Sequence, residues 1–508
     1  MGPRSKQTVR TGTTRYGKSE SCLLDNAPKM RLRDRPAMVW LDPPGSMVKD
    51  AFAYAIRYGL TPRTLTGEPL FIYDCVAETS NVPGYPVIVP STNPDPDQRE
   101  AEDQNIIEEV KALLVQAEGK LNTQASPITD KGLTDALELF TSQRKPKDFT
   151  KLHRCFRHTQ ERLEFVRDCT NPQVVQQFEI YAELGDKDWE YRCGPAVRRL
   201  EKIARSVQFR KRCIPTFDLR AFLNRGGILM LDGESRGNLS RESLTLVMAL
   251  VLLNVLQLAR NGLTRRVVII IDEARNANLL DLNVARALLE AGKWGVEFDI
   301  LTQNPQHPNP EVSDSLFQAC DRVMAFKQVN PGAVKFMADM FSQPTYDPME
   351  VWYEEDRVRF EDETQPEKLD TESVSVGPGG DKRVTTGFTY RTKKRQVIDK
   401  VTHYKSGDAQ DREKQQQLAS LRPGQCLIID GQHVTEAPVQ LPMLPRPWEG
   451  LWFTRTEPRV SLADRKRELA LELMRQRPEY RSPVSSEPLC PPPPSTDDAA
   501  DRLDAGEL

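Results

Sequence analysis

Eight residues near the amino terminus, GTTRYGKS, have the spacing G-x-x-x-x-G-K-[ST] that is typical of a phosphate-binding loop. They are Gly12, Thr13, Thr14, Arg15, Tyr16, Gly17, Lys18 and Ser19. The glycines let backbone N–H groups turn inward and surround phosphate oxygens. The pattern predicts that the Lys18 ammonium contacts the β- and γ-phosphates and that the Ser19 hydroxyl ligates Mg²⁺.

Two acids, Asp272 and Glu273, come directly after five consecutive β-branched apolar residues at 267–271. Such a run predicts a strand buried on both faces, in the middle of a parallel sheet. Ligands of open α/β sheets bind at the carboxyl ends of the strands. Asp272 is therefore predicted to order Mg²⁺, and Glu273 to polarise a water for attack on a γ-phosphate. A strand that simply meets solvent at a charged turn is the alternative, and the loop at 12–19 favours ATP binding.

A later predicted strand ends in the polar residues Thr302, Gln303 and Asn304. A polar side chain on a strand next to the one carrying the two acids can touch the γ-phosphate and sense its hydrolysis. Gln303 is the candidate for this role. Taken alone, Gln303 is better explained as a helix cap or a turn residue.

The composition limits the class of protein. With 508 residues the chain is long enough for two or three domains, and a net charge of −3 excludes binding to nucleic acid by bulk charge. Nine scattered cysteines and five histidines show no zinc-ligand spacing, which favours reduced thiols in a cytoplasmic protein. No signal peptide is apparent. The apolar stretch 244–258 is too short to span a bilayer and contains Asn254 and Gln257, so it predicts a buried core helix and no transmembrane segment.

Alternating strand and helix patterns predict an α/β fold with a parallel sheet. The first strand, 7–11, is less apolar than a central strand should be, and another strand is expected around 85–89. A surface loop is expected at 90–102, followed by helices, one of them at 152–166. The basic run within 195–212 is either a solvated helix face or a phosphate-facing patch.

These patterns divide the chain into five predicted segments that differ in composition and periodicity. The segments are an amino-terminal part of an ATPase core (1–105), an all-α insertion (106–214), a carboxyl-terminal part of the core (215–353), a flexible linker with closing β-strands (354–450, the link itself at 354–382), and a charged helix with a disordered, proline-rich acidic tail (451–508).

The order of these motifs resembles the HerA/FtsK superfamily of ring-forming, DNA-pumping ATPases. The resemblance is closest to the TraG/TraD-like conjugative coupling proteins, the DNA-transfer ATPases of type IV secretion. It covers residues 6–445 and is carried by the segments MVWLDPPGSMVKDAF, VVIIIDEARNANLL, GKWGVEFDILTQNPQ and LASLRPGQCLIIDG.

This resemblance implies a RecA-like P-loop sheet flanked by helices, with ATP and Mg²⁺ bound. It implies that Lys18 and Ser19 bind phosphate and Mg²⁺, that Asp272 orders Mg²⁺, that Glu273 is the catalytic base and that Gln303 is the sensor. It also implies a homo-oligomeric, hexameric ring that threads DNA, in which each subunit donates an arginine finger to its neighbour.

The sequence departs from the family at the usual finger position, which is Gly292 here. Lys293, Arg286 or Arg322 would have to substitute for the finger. The transmembrane helices of coupling proteins and the barrel of HerA proteins have no counterpart, so a membrane or nuclease partner would be reached by contact. Three alternatives remain: a viral-type genome-packaging ATPase, a nucleotide-dependent adaptor that recruits cargo to a secretion channel, and a small-molecule kinase.

Overall fold

The computed structural model describes residues 7–442, apart from gaps at 59, 61–62, 64–66, 81, 117–126, 144–147, 235–239, 275–278, 280–281, 343–348, 377, 381 and 432. The predicted helix and tail at 451–508 lie outside the described residues, as do residues 443–450. The chain divides into two compact units, which are Met1–Ala333 with Ser420–Leu508, and Val334–Ala419.

Strands of both units are numbered in chain order. They are β1 (Thr8–Thr11), β2 (Ala37–Asp42), β3 (Phe71–Cys75), β4 (Ile228–Asp232), β5 (Val267–Ile271), β6 (Val296–Thr302), β7 (Arg322–Ala325), β8 (Val351–Val376), β9 (Lys382–Tyr404), β10 (Gln425–Asp430), β11 (His433–Val434) and β12 (Val439–Gln440).

The helices are numbered in the same way. They are α1 (Lys18–Asn26), α2 (Ser46–Arg57), α3 (Pro96–Gln116), α4 (Pro127–Thr141), α5 (Thr159–Arg167), α6 (Pro172–Glu183), α7 (Asp186–Arg192), α8 (Gly194–Arg205), α9 (Val207–Arg212), α10 (Leu219–Asn224), α11 (Arg241–Arg260), α12 (Leu282–Glu290), α13 (Pro310–Ala319), α14 (Pro331–Ser342) and α15 (Gly407–Ser420).

One sheet forms the centre of the first unit. Its strand order is β11-β10-β7-β1-β6-β5-β2-β4-β3, with β12 pairing to β10. Strands β1 to β7 run parallel, and β10 pairs antiparallel to β7. Strand β6 therefore lies between β1, which leads into the predicted phosphate loop, and β5, which leads into the two acids. All three carboxyl ends meet at one edge of the sheet.

The weakly apolar first strand lies in the centre of this sheet because its charge is neutralised. Arg10 is 1% exposed, and its guanidinium forms ion pairs with Asp299 at 2.8 Å and Asp25 at 2.6 Å. The Asn26 amide also donates to Asp299 at 2.6 Å. A buried arginine is tolerated when its partners are buried with it in good geometry. A charged residue in the sequence of β1 is thus compatible with a central position.

Helix α11 contains the apolar stretch that was predicted to be a core helix. It is the one described helix that is long and apolar enough to cross a membrane, and 78% of that apolar window is buried inside the protein. Asn254 and Gln257 are buried too, and the Asn254 amide donates to the backbone carbonyl of Pro86. The prediction of a buried core helix is confirmed.

Three of the predicted local elements are wrong. Residues 85–89 are not a strand, although Tyr85, Val87 and Ile88 are buried, because Pro86 lacks the N–H that a ladder needs, as does Pro90 just after them. The expected loop at 90–102 contains the start of α3, where Asp95 accepts a hydrogen bond from the backbone N–H of Asp97 at 3.1 Å. The single helix at 152–166 is two helices, a 3-10 helix at Phe149–Phe156 and then α5, separated at the extended residue His158.

Another correction concerns the basic run within 195–212. Its last member, Arg212, is fully buried and forms an ion pair with Asp74 at 2.6 Å, so it belongs neither to a solvated face nor to a phosphate-facing patch. The Tyr85 hydroxyl donates to the same carboxylate at 2.9 Å. The carboxylate of Asp74 thereby ties the helical segment that precedes β4 to the edge strand β3.

Replacing Asp74 with alanine is expected to lower the free energy of unfolding by about 3–5 kcal/mol, because it leaves the Arg212 guanidinium buried without its carboxylate. Urea-induced unfolding measures this change. Glu190→Ala is the matched control, since Glu190 and its partner Arg198 are both more than half exposed. Such a surface pair should contribute at most about 1 kcal/mol. Equal midpoints for the two variants would contradict the assignment of Asp74.

The second unit contains a long two-stranded ribbon. Strands β8 and β9 pair antiparallel from Val351 opposite Tyr404 to Val376 opposite Lys382. The expectation of a flexible link at 354–382 is therefore wrong for β8. The acidic, polar sequence of β8 suggested a linker, but it faces the basic sequence of β9, and opposite charges on facing strands favour pairing.

Candidate functional site

The loop from Gly12 to Ser19 connects β1 to α1 at the carboxyl edge of the sheet. Gly12 has φ +151°, and a Cβ there would lie 2.6 Å from the Phe326 Cβ, so only glycine fits. Gly17 caps α1 with φ +104°, in the region that favours glycine. Thr14 and Arg15 are exposed at the tip of the loop. The amino end of α1 thus points its N–H groups and its positive dipole end toward the loop.

Lys18 is 5% exposed and lies inside this loop. Its ammonium donates to the backbone carbonyls of Gly12 and, at 3.3 Å, of Thr13. Burial lowers the pKa of Lys18, and the carboxylates of Glu273 and Asp272 oppose that shift. The ammonium is therefore held beneath the loop and next to both acids, and its cationic form is the one that the acids stabilise.

Asp272 and Glu273 follow β5 at the same edge and are 4% and 8% exposed. The Ser19 side chain hydrogen-bonds to the Asp272 carboxylate, as does the Glu273 backbone N–H, at 2.9 Å. Glu273 adopts φ +47°, a left-handed conformation that is uncommon outside glycine. Strained backbone of this kind often accompanies functional sites. The turn places the two carboxylates beside each other and beside the loop.

Gln303 completes the arrangement from β6. Its amide donates to the Glu273 carboxylate with an Nε2–Oε1 distance of 2.8 Å. Thr302, the last residue of β6, accepts from the Gly12 N–H at 3.3 Å and turns its hydroxyl to the Asn304 carbonyl at 2.9 Å. The strand between β1 and β5 therefore contacts both the loop and the catalytic candidate, and the three predicted segments meet at one place.

The electrostatics of the site suit a cation. Burial and the neighbouring Glu273 raise the pKa of Asp272 to about 6, although Lys18 and the hydrogen bonds lower it. Two adjacent buried carboxylates repel each other, and a divalent ion relieves that repulsion. The described residues contain no group of three or more His, Cys, Asp or Glu side chains that could hold a metal. Ser19 and Asp272 fit Mg²⁺, which keeps several water and phosphate oxygens as ligands.

Asp42, at the end of β2 beside β5, is a neighbour of the site that sequence reasoning did not select. It is fully buried, and its carboxylate accepts from the backbone N–H of Val48 at 2.8 Å and of Gly45 at 3.0 Å. Burial and the nearby Asp272 raise the pKa of Asp42. Its position at the end of an apolar strand was the signal, the same one that identified Asp272.

The rear of the loop is braced by two segments that the motifs did not indicate. Thr13 donates its backbone N–H to the Lys327 carbonyl at 2.8 Å, and the Lys327 ammonium lies 5.2 Å from the centroid of the Tyr16 ring. Gly424, in the turn before β10, donates to the Tyr16 carbonyl at 3.1 Å. The closing strands thus support the phosphate loop directly.

The candidate finger residues lie in different places. Arg322 begins β7 at the amino edge of the sheet and forms an ion pair with Asp25 at 2.9 Å. The side chain of Arg286 lies outside the described part of α12. Lys293 is exposed in a 3-10 helix, Ala291–Trp294, that leads into the amino end of β6, as does Gly292. Lys293 is therefore at the edge opposite to the phosphate loop of its own chain.

No protein-family model matches this sequence, and no curated protein matches it. Solved structures do match. The structure of VirB4 of Thermoanaerobacter pseudethanolicus has a TM-score of 0.50 at 11% sequence identity, and the match covers 87% of this chain and 90% of that chain. The chain shares its fold with VirB4. The predicted RecA-like α/β sheet flanked by helices is thereby confirmed.

Two structures of the plasmid coupling protein TrwB match less closely than VirB4. The complex of TrwB with the ATP analogue ADPNP has a TM-score of 0.48 at 12% identity, covering 87% of each chain. The complex of TrwB with ADP and Mg²⁺ has a TM-score of 0.46 at 12% identity, covering 87% of this chain and 86% of that one. The fold is assigned from the match to VirB4 alone. At 11% identity that match shows the fold and not the activity.

Proposed function

We propose that this protein is a Mg²⁺-dependent ATP hydrolase that drives DNA movement, as a ring-forming motor of the HerA/FtsK and conjugative coupling class. The proposal includes work in type IV secretion or a related DNA-transfer process in the cytoplasm. The observation that carries it is the hydrogen bond from Gln303 to Glu273 beside the buried Lys18. A polar residue of the central strand is thereby linked to a carboxylate at the phosphate loop, as a γ-phosphate sensor requires.

The roles of the side chains follow from their positions. Lys18 would leave the carbonyls of Gly12 and Thr13 and donate to phosphate oxygens. Glu273 would orient a water and accept its proton as that water attacks the γ-phosphate. Gln303 would hold the Glu273 carboxylate in place and change partner when the phosphate is released.

Mg²⁺, when bound, would neutralise charge on the β- and γ-phosphate oxygens. Ser19 would hold it through the side-chain hydroxyl, and Asp272 through ordered water. The contact between these two side chains in the structure fits that assignment, because the two groups already share one small site. The backbone of Thr14 and Arg15, exposed at the loop tip, remains accessible to the nucleotide.

Self-assembly is part of the proposal. Lys293 lies at the amino edge of the sheet and is exposed, so it is directed away from the phosphate loop of its own chain. It could act as a finger only on the nucleotide of a neighbouring copy, next to Gly292 at the usual finger position. This arrangement fits a ring with active sites between copies, and DNA is the proposed substrate of that ring.

The decisive experiment is ATP hydrolysis by the purified full chain with Mg²⁺, with and without long double-stranded DNA. A rate that rises with DNA and disappears in Lys18→Ala supports the motor. ATP binding without any response to DNA would instead favour the nucleotide-dependent adaptor. DNA stimulation that depends on a capsid portal would point to the packaging ATPase.

Replacing Gln303 with alanine is expected to lower kcat by about tenfold or more, because a hydrogen bond to a charged group contributes about 1.5–3 kcal/mol. The dissociation constant for ATP should change much less than kcat, since the bond is made to the base and not to the loop. Steady-state hydrolysis and equilibrium binding separate the two effects. Gln306→Ala, three residues on and exposed, is the control; a parallel loss there would contradict the sensor role.

A further inference from the structure

The ribbon of β8 and β9 has a strong separation of charge between its two strands. The sequence of β8 contains nine acidic and three basic residues, and that of β9 contains seven basic residues and one acidic residue. The strands therefore carry net charges of −6 and +6. Strand β8 has two runs of three acids, residues 354–356 and 361–363, and the second run, the acidic block, lies directly opposite a basic block, residues 393–395.

Large apolar side chains are exposed in the part of the ribbon whose side chains are described. Phe360 is 64% exposed, Ile398 is 59% exposed and Tyr390 is 72% exposed. A two-stranded antiparallel ribbon by itself is at best marginally stable in water. Among the described residues no other strand pairs with the ribbon, so β8 and β9 each present one free edge of N–H and C=O groups, which is a template for pairing with another strand.

The facing blocks do not satisfy each other. In the part of the ribbon whose side chains are described, Glu361 pairs with Arg359 of its own strand at 2.7 Å. Asp362 and Glu363 form no ion pair there with Lys393 or Lys394, which are the residues opposite them. The facing charges still favour the pairing of β8 with β9, and the side chains of both blocks are also able to pair with a strand placed next to either free edge.

We propose that the ribbon is an assembly surface for a second copy of this chain, in which the free acidic edge of β8 pairs with the free basic edge of a neighbour's β9. Since β8 and β9 run in opposite directions, a β8 strand beside the β9 strand of a neighbour in the same orientation is again antiparallel. Every acidic block would then lie between two basic blocks. Repeated head to tail, this contact closes into a ring of strands and leaves no free edge.

A second copy explains the ribbon better than DNA does. Neighbouring strands lie about 4.8 Å apart, so a phosphate backbone on the basic strand would also meet the acidic one. A net charge near zero for the whole ribbon does not attract a polyanion, whereas alternating acidic and basic strands match each other. The inference deepens the self-assembly part of the proposed function and rests on it.

Two charge-reversed chains test the proposal. The acid-reversed chain carries Glu361→Lys, Asp362→Lys and Glu363→Lys, and the base-reversed chain carries Lys393→Glu, Lys394→Glu and Arg395→Glu. Each change creates like charges both within the ribbon and between copies, so each chain alone should dissociate at least tenfold more readily than wild type. Mixed one to one, the two chains regain opposite charges only between copies. Assembly should return in the mixture, because every contact then pairs a basic ribbon with an acidic one.

Sedimentation velocity of the full chains measures assembly, and binding of a fluorescent ATP analogue with Mg²⁺ shows that each chain is folded. A chain carrying all six reversals, which restores both kinds of pairing, is the second control. A mixture that stays dissociated would overturn the proposal. Reversed chains that assemble like wild type would also overturn it, and so would a wild-type chain that does not assemble. If the base-reversed chain assembles like wild type in sedimentation but no longer binds long double-stranded DNA, the ribbon is a DNA-binding surface instead. If the wild-type chain does not bind ATP, the proposed function is wrong, whereas the assembly of the mixed chains is a separate result.

Discussion

Replacing Lys18 with alanine is expected to weaken ATP binding by about 100-fold, because it removes the one buried ammonium that the structure places under the phosphate loop. Hydrogen bonds to a charged group contribute about 1.5–3 kcal/mol, and each 1.4 kcal/mol is a factor of ten in affinity. Hydrolysis should fall to background in the same variant. Equilibrium titration with a fluorescent ATP analogue measures the binding step.

Lys29→Ala is the matched control for this prediction. Lys29 is a partly exposed lysine of the same unit that pairs with Glu297 at 3.3 Å. Glu297 lies near the amino end of β6, away from the phosphate loop. Its removal deletes the same charge and should leave affinity for ATP within about twofold, because charges far from the phosphates are screened by salt. Equal affinities for Lys18→Ala and wild type would mean that the loop does not bind the phosphates.

Replacing Glu273 with glutamine is expected to leave ATP binding intact and to lower kcat by at least about 100-fold. General-base catalysis contributes about 10²–10⁴-fold, and the amide cannot accept the proton of the attacking water. Glutamine has the same shape and keeps an oxygen that can accept the Gln303 amide, so the left-handed turn at residue 273 should persist. Single-turnover hydrolysis alongside binding separates the chemical step from affinity.

Glu290→Gln controls for the loss of a negative charge away from the phosphate loop, because Glu290 lies at the exposed end of α12, just before the 3-10 helix that leads into the amino end of β6. It should hydrolyse ATP at the wild-type rate. Wild-type hydrolysis by Glu273→Gln would remove Glu273 as the base and leave Asp42, the other buried carboxylate beside Asp272, as the next candidate.

Short-range patterns predicted much of this protein because its strongest signals are local. The run 267–271 is apolar on both faces, which favours a central strand, and the acids that follow such a strand lie at the carboxyl edge of the sheet. The glycines at 12 and 17 fix the turn of the loop in the same way, since other residues do not fit its backbone. These features need no knowledge of distant partners.

Tertiary structure decided what depends on partners far along the chain. Arg10 makes β1 a poor central strand by composition, and Asp299, 289 residues later, neutralises it together with Asp25. The sequence around Arg212 is typical of a solvated helix face, but in the structure Arg212 is buried and pairs with Asp74. The acidic sequence of β8 suggested a linker, and only the pairing with the basic strand β9 explains why it forms a strand. In each case the free energy of a charge depends on its partner and its burial, and a local sequence pattern contains neither.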